Sequence, residues 1–228
     1  MPVISKTWSL ISNDMKVAPS ILTADFLHLE KDLKMIDSCS DYIHLDVMDG
    51  SFVPNISFGF PVIEAISKVM TIPMDAHLMV VEPQRWFETL ARMGVQMVSF
   101  HLETTGWKTS SVIKAAKKTG MKVGLAINPN VPVEKLYRYI GKVDFFLVMS
   151  VFAGFGGQKF IYETIDRVSA LKAEIERRGA HTLIEVDGGV GPSNAKVLSD
   201  SGVDIVVAGS SVLGASDPVS VVRELQEA

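Results

Sequence analysis

Short apolar runs alternate with amphipathic segments along nearly the whole chain. The runs cover residues 17–22, 42–47, 72–79, 96–102, 121–127, 143–151, 182–186 and 203–208. Between them, segments such as 27–36, 83–93, 110–119, 132–140, 162–178 and 192–201 carry apolar residues at helical spacing. Many end on a glycine suited to stopping a helix: Gly94, Gly120, Gly141, Gly179 and Gly202. A strand followed by a helix, repeated, predicts a parallel sheet, because parallel neighbours need a crossover. About eight such units predict closure into a (β/α)8 TIM barrel in a single domain. An open doubly wound sheet is the alternative, but no GxGxxG follows the first strand.

The length of 228 residues suits one such barrel, and 47% hydrophobic with 21% charged residues suits a sizeable core. No Pro/Gly/Ser-rich linker divides the chain. The barrel is expected over residues 16–228, behind a leader, 1–15, of unassigned role. That leader lacks the uninterrupted apolar stretch of a secretory signal. A net charge of -4 gives no reason to expect nucleic acid or an anionic membrane, so any anion site must be local. A single cysteine, Cys39, excludes an internal disulfide and points to a reducing, cytoplasmic setting. Its bland reading, a small packed side chain, suffices.

Barrels of this kind place their chemistry where the strands end. Side chains at i and i+2 of a strand share a face. In Tyr42-Ile43-His44-Leu45-Asp46-Val47-Met48 this groups His44, Asp46 and Met48, leaving Leu45 and Val47 to face the helices. In Asp75-Ala76-His77-Leu78-Met79, His77 and Met79 share the inner face, and in Ile184-Glu185-Val186-Asp187, Asp187 is the last inward residue. A lone inward histidine is ordinarily a hydrogen-bonded core residue. Two histidines and two carboxylates, His44, Asp46, His77 and Asp187, at one mouth form a ligand set for one divalent ion: Zn, Fe(II), Mn or Co. Asp75 and Glu185 have the same parity one layer deeper and are expected to support the ligands or plug the barrel.

Three glycine loops follow the last strands: Gly154-Phe155-Gly156-Gly157, Gly188-Gly189 and Gly209-Ser210. Glycines allow backbone N–H groups to converge on an anion, so the set is expected to bind a phosphate. Met48, Met79 and Met149 close inward strand faces; they are core filler or an apolar wall beside the reacting carbon.

The stretches Val17-Ala18-Pro19-Ser20-Ile21-Leu22, His44-Leu45-Asp46-Val47-Met48-Asp49-Gly50-Ser51-Phe52-Val53-Pro54-Asn55, Asp75-Ala76-His77-Leu78-Met79, Gly154-Phe155-Gly156-Gly157-Gln158 and Glu185-Val186-Asp187-Gly188-Gly189 closely resemble the ribulose-phosphate 3-epimerase family. The resemblance runs from about Lys16 to near the C-terminus. It implies interconversion of D-ribulose 5-phosphate and D-xylulose 5-phosphate, a step of the pentose phosphate pathway. It implies a divalent metal on His44, Asp46, His77 and Asp187, and acid/base roles for Asp46 and Asp187. Substrate contacts fall on Ser20 and His77, and phosphate contacts on Gly154–Gly157, Gly188–Gly189 and Gly209–Ser210. One departure stands out: the family usually has a polar residue and proline before GFGG, where this chain has Phe152-Ala153, which predicts a looser loop.

Epimerisation beside a carbonyl needs a proton removed on one face and returned on the other, through an ene-diolate whose charge a cation offsets. Allulose-6-phosphate 3-epimerase, its close relative, differs only in substrate length. A phosphosugar decarboxylase would carry Asp-x-Lys-x-x-Asp, but Asp46-Val47-Met48-Asp49 has no lysine. A non-catalytic sugar-phosphate sensor has no need of paired proton carriers. The partner is thus a small phosphorylated ketose, with a homo-oligomer expected from the resemblance; apolar Trp86, Phe87 and Tyr137 on the outer segments are core or subunit contact.

Overall fold

The structure, a computed structural model, describes residues 14–228; most of the leader lies outside the described residues. Eight parallel strands form one sheet: β1 (Lys16–Pro19), β2 (Ile43–Met48), β3 (Met74–Met79), β4 (Met97–His101), β5 (Lys122–Ile127), β6 (Phe145–Met149), β7 (Leu183–Asp187) and β8 (Ile205–Ala208). Strand β1 pairs with β8, and from β2 to β8 each strand pairs with its neighbours in sequence. The two remaining edges meet at a single parallel bridge, Ser20 to His44. Below it, the N–H groups of Asp41 and Tyr42 donate to the Val17 carbonyl at 3.1 and 3.2 Å. The sheet is thereby a closed (β/α)8 barrel.

The surrounding helices are α1 (Leu29–Cys39), α2 (Phe60–Ser67), α3 (Phe87–Arg92), α4 (Leu102–Thr105), α5 (Thr109–Lys117), α6 (Glu163–Arg177), α7 (Pro192–Asp200), α8 (Ser210–Leu213) and α9 (Pro218–Gln226). Helices α2 and α9 fall outside the segments predicted above, although the start of α9 is well signalled. Asp217 accepts from Ser220 N at 3.1 Å, and Pro218 takes the first helical position. The segment 132–140 is a 3₁₀ helix, Val133–Tyr139, rather than an α-helix. Its buried residues, Val133, Leu136 and Tyr139, recur every third position, which is the period of a 3₁₀ turn. The run 17–22 also divides. Ser20 Oγ accepts from Leu22 N at 3.2 Å and turns the chain into a 3₁₀ turn, Ile21–Thr23, so β1 ends at Pro19.

The parity expected of the strands is observed. Leu45, Leu78, Phe100, Leu125, Phe146 and Val186 pack in the main apolar cluster between barrel and helices. Inside the barrel, Ala18, Met97, Phe145, Ile205 and Val207 form a separate apolar plug. Gly124 makes room for it: a Cβ there would lie 2.3 Å from the Phe145 ring. At the helix stops, Gly202 has φ +94°, a conformation other residues rarely adopt. Phe87 is core, packed on Phe100 with ring centroids 5.7 Å apart, and Trp86 rests on Phe60 at 5.2 Å. Among the described residues no helix is long and apolar enough to cross a membrane.

Candidate active site

Strands β2, β3 and β7 deliver His44, Asp46, His77 and Asp187 to one point above the plug, as their parity requires. His44 Nε2 lies 3.5 Å from Asp46 Oδ1 and 4.0 Å from Asp187 Oδ2. His77 Nδ1 lies 3.2 Å from Asp46 Oδ1 and 3.7 Å from Asp187 Oδ2. Ligand atoms held at about 2.1 Å from one ion stand roughly 3–4 Å from each other, so these four atoms can share a single cation. His44 Nε2, fully buried, has no hydrogen-bond partner, which is what a nitrogen lone pair kept for an ion would show. Ser20 Oγ donates to the other oxygen of Asp46, Oδ2, at 2.6 Å and fixes that carboxylate.

The field of the cage agrees with this chemistry. Burial favours neutral imidazoles, yet the Asp46 and Asp75 carboxylates hold His44 well above the usual histidine range. His77 is likewise raised, against its burial, by Asp187 and Asp46. Burial would raise Asp46, but the two imidazoles hold it far below the usual carboxylate range. The carboxylates thus set a negative field in which a divalent ion could take the place of the protons that the imidazoles otherwise hold.

Below the cage, His44 Nδ1 meets Asp75 Oδ2 at 2.7 Å, and Glu185 Oε1 lies 4.0 Å away. With an ion in the cage, that hydrogen bond would keep the His44 proton on Nδ1 and leave Nε2 free for the ion. Asp75 and Glu185 are both inaccessible. Burial, reinforced by the Asp75 charge, pushes Glu185 well above the usual glutamate range, so it is held as the neutral acid.

The three glycine loops come together at the same mouth. A pocket of about 520 Å³, counted out to open solvent, is lined by Gly154, Phe155, Gly156, Gly157, Gly188, Gly189, Gly209 and Ser210, with Ser20, Asp46, Asp187 and the three methionines. Met48, Met79 and Met149 are all buried. Gly188, at φ +119°, sits so close to Val151 that a Cβ would fall 2.3 Å from Cγ2. The Phe152-Ala153 departure leaves the loop tied down. Ala153 N donates to Asn128 Oδ1 at 2.9 Å, and Gln158 Nε2 donates to Phe152 O at 2.7 Å and Phe155 O at 2.8 Å. Phe152 itself is half exposed.

Sequence reasoning passed over His101, the last inward residue of β4, whose parity in Met97-Val98-Ser99-Phe100-His101 matches that of the chosen groups. Its Nε2 lies 2.9 Å from His77 Nε2, and burial lowers its pKa to about 4. Thr23, where the family more commonly has serine, keeps the hydroxyl, and its buried, unpartnered Oγ1 would meet a Cβ on Gly209 at 3.0 Å.

Eight parallel strands around a buried set of two imidazoles and two carboxylates, gathered at the end where such barrels work, define a (β/α)8-barrel enzyme. The chain belongs to the ribulose-phosphate 3-epimerase family, whose model matches residues 16–213. It is 40% identical over 210 residues to a ribulose-phosphate 3-epimerase of Mycobacterium tuberculosis, covering 92% of this chain and 91% of that protein. It is 39% identical over 214 residues to the Bacillus subtilis protein of that name, covering 93% and 98%. Among solved structures, a 3-hexulose-6-phosphate synthase superposes with a TM-score of 0.71 at 15% identity, over 93% of this chain and 99% of that one, which shows the fold alone.

Proposed function

We propose that the chain interconverts D-ribulose 5-phosphate and D-xylulose 5-phosphate by moving the proton at C3, with Asp46 and Asp187 as the two proton carriers. The observation that carries the assignment of roles is the convergence of these carboxylates, from β2 and β7, on one cage inside a pocket rimmed by glycine loops. Inversion needs a base on one face of the carbon and an acid on the other, and acids from separate strands meet that demand.

Asp46 suits the role of a carboxylate kept ionised. His44 and His77 hold it so, and Ser20 fixes its orientation. Asp187 retains a 15% exposed side chain and reaches the pocket from the other strand. Whichever of the two removes the proton in one direction returns it in the other. His44, Asp46, His77 and Asp187 would hold a divalent ion: Zn, Fe(II), Mn or Co. When bound, the ion supplies positive charge opposite the substrate oxygens on which negative charge develops. The donor set and the partnerless His44 Nε2 support this. Met48, Met79 and Met149 wall the reacting carbon and keep water from it. The N–H groups of Gly154–Gly157, Gly188–Gly189 and Gly209–Ser210 receive the phosphate, with no arginine clamp among the pocket's lining residues. Assembly into a homo-oligomer belongs to the same reading, supported by Leu27 and Ile56, which stand exposed on loops beside the mouth.

The test is exchange of solvent deuterium into C3 of ribulose 5-phosphate, run alongside turnover. Exchange together with formation of xylulose 5-phosphate is expected. Binding with neither would make the protein a sensor and end this reading.

A further inference from the structure

His77 uses both ring nitrogens. Nδ1 faces Asp46 and Asp187 in the cage, and Nε2 faces His101 Nε2 at 2.9 Å. Two imidazole nitrogens so placed share one proton. For Nδ1 of His77 to hold a cation it must be bare, so the proton sits on His77 Nε2 and His101 Nε2 accepts it. A neutral His101 then carries its own proton on Nδ1. That nitrogen lies 3.4 Å from Glu103 Oε1 and 3.5 Å from Asn128 Nδ2. The carboxylate is an acceptor only, and Asn128 already gives Nδ2–H and its backbone N–H to the same Oε1, at 2.9 and 3.0 Å. Every proton in the chain therefore has one direction. Asn128 is itself fixed: its carbonyl accepts from Arg167 at 3.0 Å, and its Oδ1 accepts from Ala153 N. His77 and His101 are both fully buried, so no water can take either place.

We infer that His101 is a positioning residue for the cation: by accepting the Nε2 proton of His77 it keeps Nδ1 bare and aimed into the cage, while Glu103 and Asn128 fix the tautomer of His101. The inference rests on the cation site proposed above. It adds to that site a third histidine, which does not touch the ion. Asn128, at its far end, is also the side chain that ties down the loop opening at Ala153.

The test is titration of the metal-free full chain with Co(II), followed by its visible absorption, for the wild type, His101→Leu, His101→Gln and Glu103→Gln. Loss of a partner of this kind lowers metal affinity on the order of 10- to 100-fold. His101→Leu is expected to show that loss. His101→Gln is expected to recover most of it, because its carbonyl accepts from His77 while its amide donates to Glu103. Glu103→Gln keeps a carbonyl oxygen where Asn128 donates but removes its charge, so it holds the His101 Nδ1 proton more weakly and falls between wild type and His101→Leu. A second readout is the long-range ¹H–¹⁵N spectrum of histidine-labelled, zinc-loaded protein, tractable with five histidines; it should place the His77 proton on Nε2. Wild-type affinity in His101→Leu, equal losses in the Leu and Gln variants, or a His77 proton on Nδ1 would each overturn the inference while leaving the cation site standing. If His101→Leu fails to fold, Glu103→Gln and the wild-type spectrum decide. A wild type that binds no stoichiometric Co(II) removes the site and the inference together.

Discussion

The barrel interior holds two carboxyl pairs, one layer apart, and they have opposite characters. Asp46 and Asp187 face His44 from its Nε2 side, at 3.5 and 4.0 Å. Asp75 and Glu185 face it from its Nδ1 side, at 2.7 and 4.0 Å. The upper pair has two imidazoles, a serine hydroxyl and an opening to the pocket, and Asp46 is held ionised. The lower pair has no opening and one imidazole to share, and Glu185 is held protonated. The two pairs share strand β7, completed by β3 in the lower pair and β2 in the upper, and they diverge through their surroundings. Under the proposed function the upper pair would exchange protons and hold a cation, while the lower would brace it.

The largest break in this comparison should come from the upper pair. Asp46→Asn or Asp187→Asn is expected to lower kcat by at least about 10²–10⁴-fold, the usual worth of a proton carrier, with an unchanged circular dichroism spectrum. Near-normal turnover in either purified variant would remove that residue from the mechanism. Stripping the protein with chelator should also abolish turnover. At an ion concentration about 100 times Kd it should cost about 2.7 kcal/mol of stability, read as a drop in Tm reversed by Zn or Co(II). Asp75→Asn, in the lower pair, should weaken metal binding about 10–100-fold while leaving kcat at saturating ion within a small factor. A kcat loss matching that of Asp46→Asn would erase the distinction between the layers.

The smallest expected effect is the sharpest. Glu185 is protonated in the folded chain and would ionise near 4.5 when unfolded. Above that value the unfolded chain binds fewer protons, so Glu185 makes metal-free stability fall as pH rises towards its raised native value. Asp46 acts in the opposite sense: its depressed pKa gives stability that is lost as pH falls below 3.8. Glu185→Gln should change stability little at or below pH 4.5, where the acid is neutral in both states, and flatten the decline above it. Urea midpoints measured across pH would show it, and an unaltered slope would mean that Glu185 is ionised in the native chain.

Much of this was legible along the chain because a barrel strand enforces a period of two. That period alone put His44, Asp46, His77 and Asp187 on the inside and Leu45 and Val186 on the outside, and placed Asp75 and Glu185 one layer down. It would have selected His101 as well, but β4 carries no neighbouring acid at that parity to draw attention to it. Its partners, Glu103 and Asn128, lie beyond strand ends, where the period stops. The place of Thr23 between the loops was hidden for a similar reason: it depends on the turn that Ser20 creates. The segment 132–140 was misread because apolar residues three apart satisfy both an α-helical and a 3₁₀ pattern, and its length does not separate them.

The barrel's weakest join has a consequence for how the protein matures. Between β1 and β2 the backbone is joined by the Ser20–His44 bridge and the Val17 carbonyl, with hydrogen bonds donated by Val17 N to the Asp41 carboxylate and by Ser20 Oγ to Asp46, whereas β1 is hydrogen-bonded along its length to β8. Strand β8 is therefore the main backbone support of β1. Docking of Ile205–Ala208 is then expected to bring Ser20 over Asp46 late, after the other strands have placed the four proposed cation ligands. Ion capture should accordingly mark the end of assembly and latch the seam shut.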